Sequence, residues 1–393
     1  MGAYVSKAQC QSFHSISLDC TVTNATDTTP YRVIGGLHHG EFEPNPDVAG
    51  VGVLYAFFSV ACLALATSAT YLILQLTKFM KFTGMSAGVK DDEDRSTYRT
   101  TWADIFEAII LSCSDQQVFT SGAYALALRY AQGCSISAYH YNIVANMMLI
   151  TCATHLMSVT VVSQYWKHKL LAIFRTLLIS GLYIVTALLL TNQNAGLDLR
   201  WPTDPPKAGD DDTLLVLPAA CFQGDKSTFD ATLVDTFGRG GEHLAIDAIG
   251  NSSPNNHIVG WNFFILIILW YGFAIIAEFL RYWYRFARNN PRNRRTAFSR
   301  WILRAFWSYQ FIGASFCIVA IAMSYKYIQD LRRWMDHSPW IHRQPDGTNP
   351  ENDASSFGQF VPLLLILLTV FTVLQLIGGK FLHLSTSEVL LVN

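Results

Sequence analysis

The sequence predicts an all-α membrane protein, a bundle of seven transmembrane helices with its N-terminus outside. Three observations carry this. Hydrophobic residues make up 51% of the 393 and charged residues only 15%, against roughly 25% charged in a soluble chain. Seven stretches are long and apolar enough to span a bilayer, which takes about 20 residues. The basic residues beside those stretches alternate from one side to the other. A net charge of −1 gives no electrostatic footprint for nucleic acid, so the expected partners are the lipid bilayer and small molecules. Eight cysteines in so long a chain do not make a disulfide framework.

The first span is expected at residues 50–76, which hold no charge. The second, at 102–131, carries Asp104, Glu107, Asp115 and Arg129. It is kept because it is apolar on both sides of Asp115 and because the charge alternation fails without it. The third to seventh are expected at 136–162, 170–190, 259–286, 301–327 and 360–379.

Orientation follows from Lys and Arg beside the spans. Lys78, Lys81, Lys90, Arg95 and Arg99 fall between spans one and two, and Lys167 and Lys169 between three and four. Seven arginines from Arg281 to Arg300 fall between five and six. These loops are expected in the cytosol. The organisation is then an extracytosolic segment 1–49, a membrane domain 50–380 and a cytosolic tail 381–393. The membrane domain includes an acidic outer loop 192–258 and a basic cytosolic loop 286–300. Asn24-Ala-Thr26 and Asn251-Ser-Ser253 are glycosylation acceptors, and both fall outside. Cys10, Cys20, Cys134 and Cys221 also fall on that side, where disulfides are permitted and three pairings are open.

Two features run against this layout. Lys326, Arg332, Arg333 and Arg343 put basic charge in a loop expected outside. Residues 1–6, Met-Gly-Ala-Tyr-Val-Ser, fit a myristoylation pattern that needs a cytosolic N-terminus. The first 48 residues lack an apolar signal-peptide core, so the first span is expected to act as its own signal anchor. Within the outer loop, residues 214–222 are apolar enough to pack on the mouth of the bundle as a lid; a passive glycosylated loop is the other reading.

Ionisable groups at membrane depth are costly and mark candidate sites. At about 100° per residue, Asp104, Glu107, Ser114, Asp115 and Ser121 form one polar stripe on helix two. Asp115 lies about 16 Å deep by helical rise. On helix three, His140, Thr151, Thr154, His155 and Ser158 share a face, with Asn142 and Asn146 on a smaller stripe. A short turn makes the two helices antiparallel and puts Asp115 level with Ala153, within a turn of His155. Function and simple interhelical bonding are both open for Asp115. Arg175 is read as snorkelling to headgroups. Trp270, Tyr271, Trp307 and Tyr309 are candidates to line a cavity, where aromatic faces stabilise a cation; ordinary packing is equally open for each.

Several motifs are absent. Residues 360–379 hold no Lys for a retinal Schiff base, helix three ends without an acidic-Arg-aromatic signature, and helix seven lacks Asn-Pro-x-x-Tyr. No phosphate-binding glycine loop and no metal-ligand spacing stand out, so no metal or cofactor is expected.

The blocks Cys113-Ser114-Asp115-Gln116-Gln117, Gly133 through Val144 (GCSISAYHYNIV) and Thr154-His155-Leu156 resemble a large family of integral membrane proteins of filamentous fungi. Part of that group resembles the membrane-bound terpene cyclases of ascochlorin- and ascofuranone-type meroterpenoid pathways. The resemblance covers about 45 residues of helices two and three. It implies a cyclase acting on a prenylated aromatic epoxide, with a prenyltransferase and an epoxidase upstream. A buried carboxylic acid would open the epoxide. Asp115 is the expected acid, Glu107 the second choice, and His155 the group that positions the acid or takes the closing proton. Asn146, His140 and the four aromatics would line the site. The reading from another class is a non-enzymatic seven-helix receptor whose basic 288–304 segment meets a cytosolic partner.

Overall fold

The computed structural model describes residues 6–27, 30–84, 102–162, 165, 169–193, 199–207, 212–223, 258–288 and 296–354, and part of 359–378. A short helix α1 (Lys7–His14) and a two-stranded antiparallel hairpin, β1 (Val22–Thr23) with β2 (Val33–Ile34), precede the bundle. The helices that follow are α2 (Pro46–Ala49), α3 (Val51–Gly84), α4 (Trp102–Tyr130), α5 (Ala138–Val161), α6 (Lys169–Asn192), α7 (Trp261–Arg288) and α8 (Thr296–His337). The described residues within 359–378 are also helical.

The fold is mainly helical, and four helices among the described residues are long and apolar enough to cross a membrane: Pro46–Gln75, Ala138–Val161, Leu170–Asn192 and Ala305–His337. Seven were expected. Of the other three, α4 has the length, with 29 residues, but carries Asp104, Glu107 and Asp115. Helix α7, with 28 residues, has its side chains described without a break only over Trp261–Ala277, and the last segment is described only in part.

Helix α5 is the axis of the structure. All 24 of its residues are buried, enclosed by α3, α4, α6, α7 and α8. A helix surrounded by protein needs no apolar stripe, which is why α5 tolerates two histidines, two asparagines and a run of hydroxyls. The peripheral helices instead turn large apolar side chains outward, as Leu170, Phe174, Leu177 and Ile184 do on α6. Antiparallel packing of α4 on α5 follows from the short turn between them and is pinned by a 2.5 Å contact between the Ser121 and Thr151 hydroxyls.

One end of the bundle is closed by a folded cap. Disulfides Cys10–Cys134 and Cys20–Cys221 select one of the three pairings that spacing leaves open. Residues 214–222 pack over the start of α5: Ala138 and Tyr139 donate to the Leu217 and Leu215 carbonyls, and Ala219 donates to Ile136. Segments 40–42 and 339–342 add a short backbone ladder. The basic residues that broke the charge pattern belong here. Helix α8 runs to His337 and so absorbs Lys326, Arg332 and Arg333, which the sequence places in a loop. Arg332 donates to Asn352 Oδ1 at 2.8 Å and Arg343 to the Gly347 carbonyl at 3.2 Å. Of the four, Arg332 is the one that ties α8 to the 350–352 segment. The Asn24 side chain is exposed on the cap. Asn251, Gly2, the arginines of 281–300 and the tail 381–393 lie outside the residues whose side chains are described.

Asn142 ties the cap-side loop to α5. Its Oδ1 accepts from Trp201 Nε1 at 2.9 Å and Gln193 Nε2 at 3.3 Å, and its Nδ2 donates to the Pro202 carbonyl at 3.0 Å. Asn142→Leu is expected to cost about 1–2 kcal/mol by stranding the buried indole N–H. Faster proteolytic cleavage near residues 199–207, with the bundle itself intact, is the outcome to look for.

Candidate functional site

Glu107, Ser114 and Ser121 recur every seven residues, so they share one face of α4. That face meets α5. Ser114 Oγ lies 2.9 Å from His155 Nδ1, and Ser158 Oγ donates to the His155 carbonyl at 2.7 Å. His155 is 2% exposed. Its Nε2 is buried and makes no hydrogen bond among the described residues. Leaving such an atom unpaired costs about 1–3 kcal/mol. If Ser114 donates to Nδ1, then Nε2 carries a hydrogen; if Nδ1 donates, Nε2 offers a lone pair. Either form can move a proton. The rings of Tyr271 and Tyr165 stand 6.0 and 6.3 Å from the imidazole, and Tyr183 stands 5.2 Å from Tyr271.

Asp115 does not make the contact expected of it. One residue beyond Ser114, it is turned about 100° around α4 and faces α6 instead of α5. Arg175 Nε lies 2.8 and 2.9 Å from its two oxygens, and Arg175 Nη2 lies 2.5 Å from Oδ2. Arg175 therefore does not snorkel away. The side chains are 15% exposed for Arg175 and 30% for Asp115. The next turns, Phe119 on α4 and Leu171 on α6, are 61% and 45% exposed. The pair thus sits at the outer rim of the α4–α6 seam, and Asp115 is not enclosed in a sealed hollow. With both oxygens accepting from a guanidinium, it acts as an acceptor, not a proton donor. Glu107 is the more enclosed acid: it is buried, and its Oε1 lies 2.5 Å from the Tyr71 hydroxyl.

The remaining expected lining residues do not gather here. His140 is fifteen residues before His155, a rise of about 22 Å, and belongs to the cap end. Its Nδ1 meets Ser137 Oγ at 2.8 Å and its Nε2 meets Glu351 Oε1 at 2.9 Å. Asn146 donates to the Asn142 carbonyl one turn earlier. Trp270 stacks on Tyr309, centroids 5.2 Å apart, with its indole against Gly313, where a Cβ would come within 2.3 Å of Nε1. Trp307 packs half-buried on the core. Trp270 and Tyr309 thus join α7 to α8; of the four, Tyr271 is the one whose ring is placed against His155. Adjacent residues on a helix point 100° apart, so Trp270 and Tyr271 were bound to serve different neighbours.

Sequence reasoning missed Tyr165 and gave Arg175 the wrong partner, headgroups instead of Asp115. Tyr165 sits between α5 and α6 beside the ion pair. Burial pushes its phenol above the ordinary value, and the nearby Thr176 hydroxyl and Arg175 charge oppose that shift. The usable signal for Arg175 was its position: one arginine, seventh in an otherwise apolar helix, opposite a helix with a mid-span aspartate. Among the described residues no three His, Cys, Asp or Glu side chains are placed to hold a metal ion.

Fold and site together define a class: a mainly helical protein with helices able to cross a membrane and a buried imidazole beside hydroxyl and phenol groups. No protein-family model matches the chain, and no solved structure matches it. Over 120 residues it is 32% identical to the "Elsinochromes biosynthesis cluster protein HP3" of Elsinoe fawcettii. That stretch is 30% of this chain and 47% of the relative, so the match spans about half of the relative's length.

Proposed function

We propose that this protein is a membrane-embedded enzyme of fungal secondary-metabolite biosynthesis and, within that class, a terpene cyclase that closes the prenyl chain of an aromatic epoxide. The observation that carries the reading is the buried, unpartnered Nε2 of His155. The similarity to a biosynthesis cluster protein supports the metabolic setting. The resemblance of the α4–α5 blocks to membrane-bound cyclases supports the reaction.

In this scheme Glu107 gives a proton to the epoxide oxygen. The C–O bond breaks with its electrons going to that oxygen, which becomes a hydroxyl. The neighbouring prenyl double bond attacks the cationic carbon and forms a C–C bond. The new cation loses a proton to His155 Nε2, leaving a double bond. Return of that proton to Glu107 completes an isomerisation. Glu107 and Ser114, which holds His155, lie seven residues apart, about 10 Å along one face of α4, so acid and base flank a prenyl-sized length. Tyr271 and Tyr165 offer aromatic faces to the cation in an interior that excludes water. Asp115 takes no part as acid. The exposed Asn24 acceptor and the two disulfides of the cap fit a lumenal location for that end, in an endomembrane.

Microsomes bearing the protein, incubated with a prenyl phenol carrying a terminal epoxide, are expected to yield a ring product of unchanged mass. His155→Ala should lower turnover by roughly 10²-fold or more while the cap disulfides stay formed. Membranes that leave the epoxide intact would sink the reading, and the receptor reading, which converts nothing, would replace it.

A further inference from the structure

We infer that Arg175 and His155 together bind a planar oxyanion, a carboxylate or ionised phenol, at the head of the lipophilic molecule that enters through the α4–α6 seam. This rests on the small-molecule reading above but is separate from its ring-closing step: here Nε2 carries the hydrogen and donates to the oxyanion, whereas that step uses its lone pair.

The guanidinium is a planar fork with five N–H donors. Asp115 occupies one edge, taking bonds from Nε and Nη2. Nη1 makes no hydrogen bond among the described residues, so the outer edge of the fork is free, and that edge matches the two oxygens of a carboxylate. Asp115 fixes the fork in place without using it up. Behind it lies a second unmet polar group, His155 Nε2, on a side chain only 2% exposed. Tyr165 connects the two: its ring stands 6.3 Å from the imidazole, and its phenol feels the charges of both Arg175 and Asp115. The approach is apolar. Phe119 and Leu171, one turn from the pair, are exposed, which suits entry of a greasy molecule from lipid. The depth of His155 favours a flat aromatic head over a phosphate, which would stop at Arg175.

The test uses the full chain in phosphatidylcholine nanodiscs, with a ring-alkylated salicylic acid as probe and its methyl ester as the uncharged control. The acid is expected to bind about ten-fold or more tightly than the ester. The double variant Arg175→Met/Asp115→Asn, which leaves no lone charge, and His155→Gln should each abolish that preference, while Asp115→Asn alone should keep it. Equal binding of acid and ester, or a preference that survives His155→Gln, overturns the inference; that variant decides alone if the double variant fails to fold. Displacement of the probe by phosphatidic acid in the nanodisc would assign the site to a lipid headgroup and also overturn it. The two readings separate cleanly. Acid-selective binding without epoxide conversion removes the cyclase and keeps this site; conversion without acid selectivity does the reverse.

Discussion

Glu351→Ala is expected to destabilise the protein by about 3–5 kcal/mol, because it breaks a buried hydrogen-bonded cluster around a carboxyl group and leaves three partners stranded. Glu351 is 1% exposed. Its carboxylate accepts from Tyr139 Oη at 3.0 Å and the Asn45 backbone N–H at 3.1 Å, and meets His140 Nε2 at 2.9 Å. These three partners come from the central helix and the segment before α2, so one side chain joins the cap to the axis of the bundle. Phe42 stacks on the His140 ring, 5.7 Å between centroids, and keeps water from replacing the lost bonds. Thermal unfolding of the purified protein in detergent, followed by loss of monodispersity, gives the readout. Glu351→Gln keeps an acceptor and should lose only about 1–2 kcal/mol. A Glu351→Ala protein that melts like the parent would show that the cap is held by its disulfides alone.

Arg175→Met should cost about 2–4 kcal/mol, and adding Asp115→Asn should restore most of it. The single change leaves a carboxylate at an apolar seam with its three N–H contacts gone, whereas the double change removes both charges together. The partial exposure of the pair keeps the figure at the lower end. Melting of the two singles and the double gives the coupling. Additive losses would mean that the pair does not act as a unit, and that Arg175 is held by something other than Asp115.

The helices were legible because length and apolarity are local properties. Expected and observed bounds for α3 to α6 differ by a few residues, apart from the longer end of α3. The extra length of α8 was hidden by its own charges: Lys326, Arg332 and Arg333 read as a loop but are carried on the helix, where Arg332 reaches Asn352 of the cap. The polar face of α4 was also legible, down to the turn at which it meets His155. What failed was the last 100°. Ser114 and Asp115 are neighbours in sequence, and only the placement of α6 decides which of them turns toward α5. Glu351 was invisible for a different reason: its partners His140 and Asn45 lie 211 and 306 positions away, and an acid in a polar loop carries no local mark of burial. The disulfide partners shared a side in the sequence, but their pairing needed the packing of residues 214–222 on α5.

The two cystines also set a timetable for biogenesis. Cys10 must wait for a partner 124 positions later, and Cys20 for one 201 positions later. By the time Cys221 leaves the ribosome, α3 through α6 have already been made. Cys20 is therefore locked only after α3 through α6 are made, and an oxidoreductase that paired Cys10 with Cys20 early would trap the nascent chain with its covering unable to close.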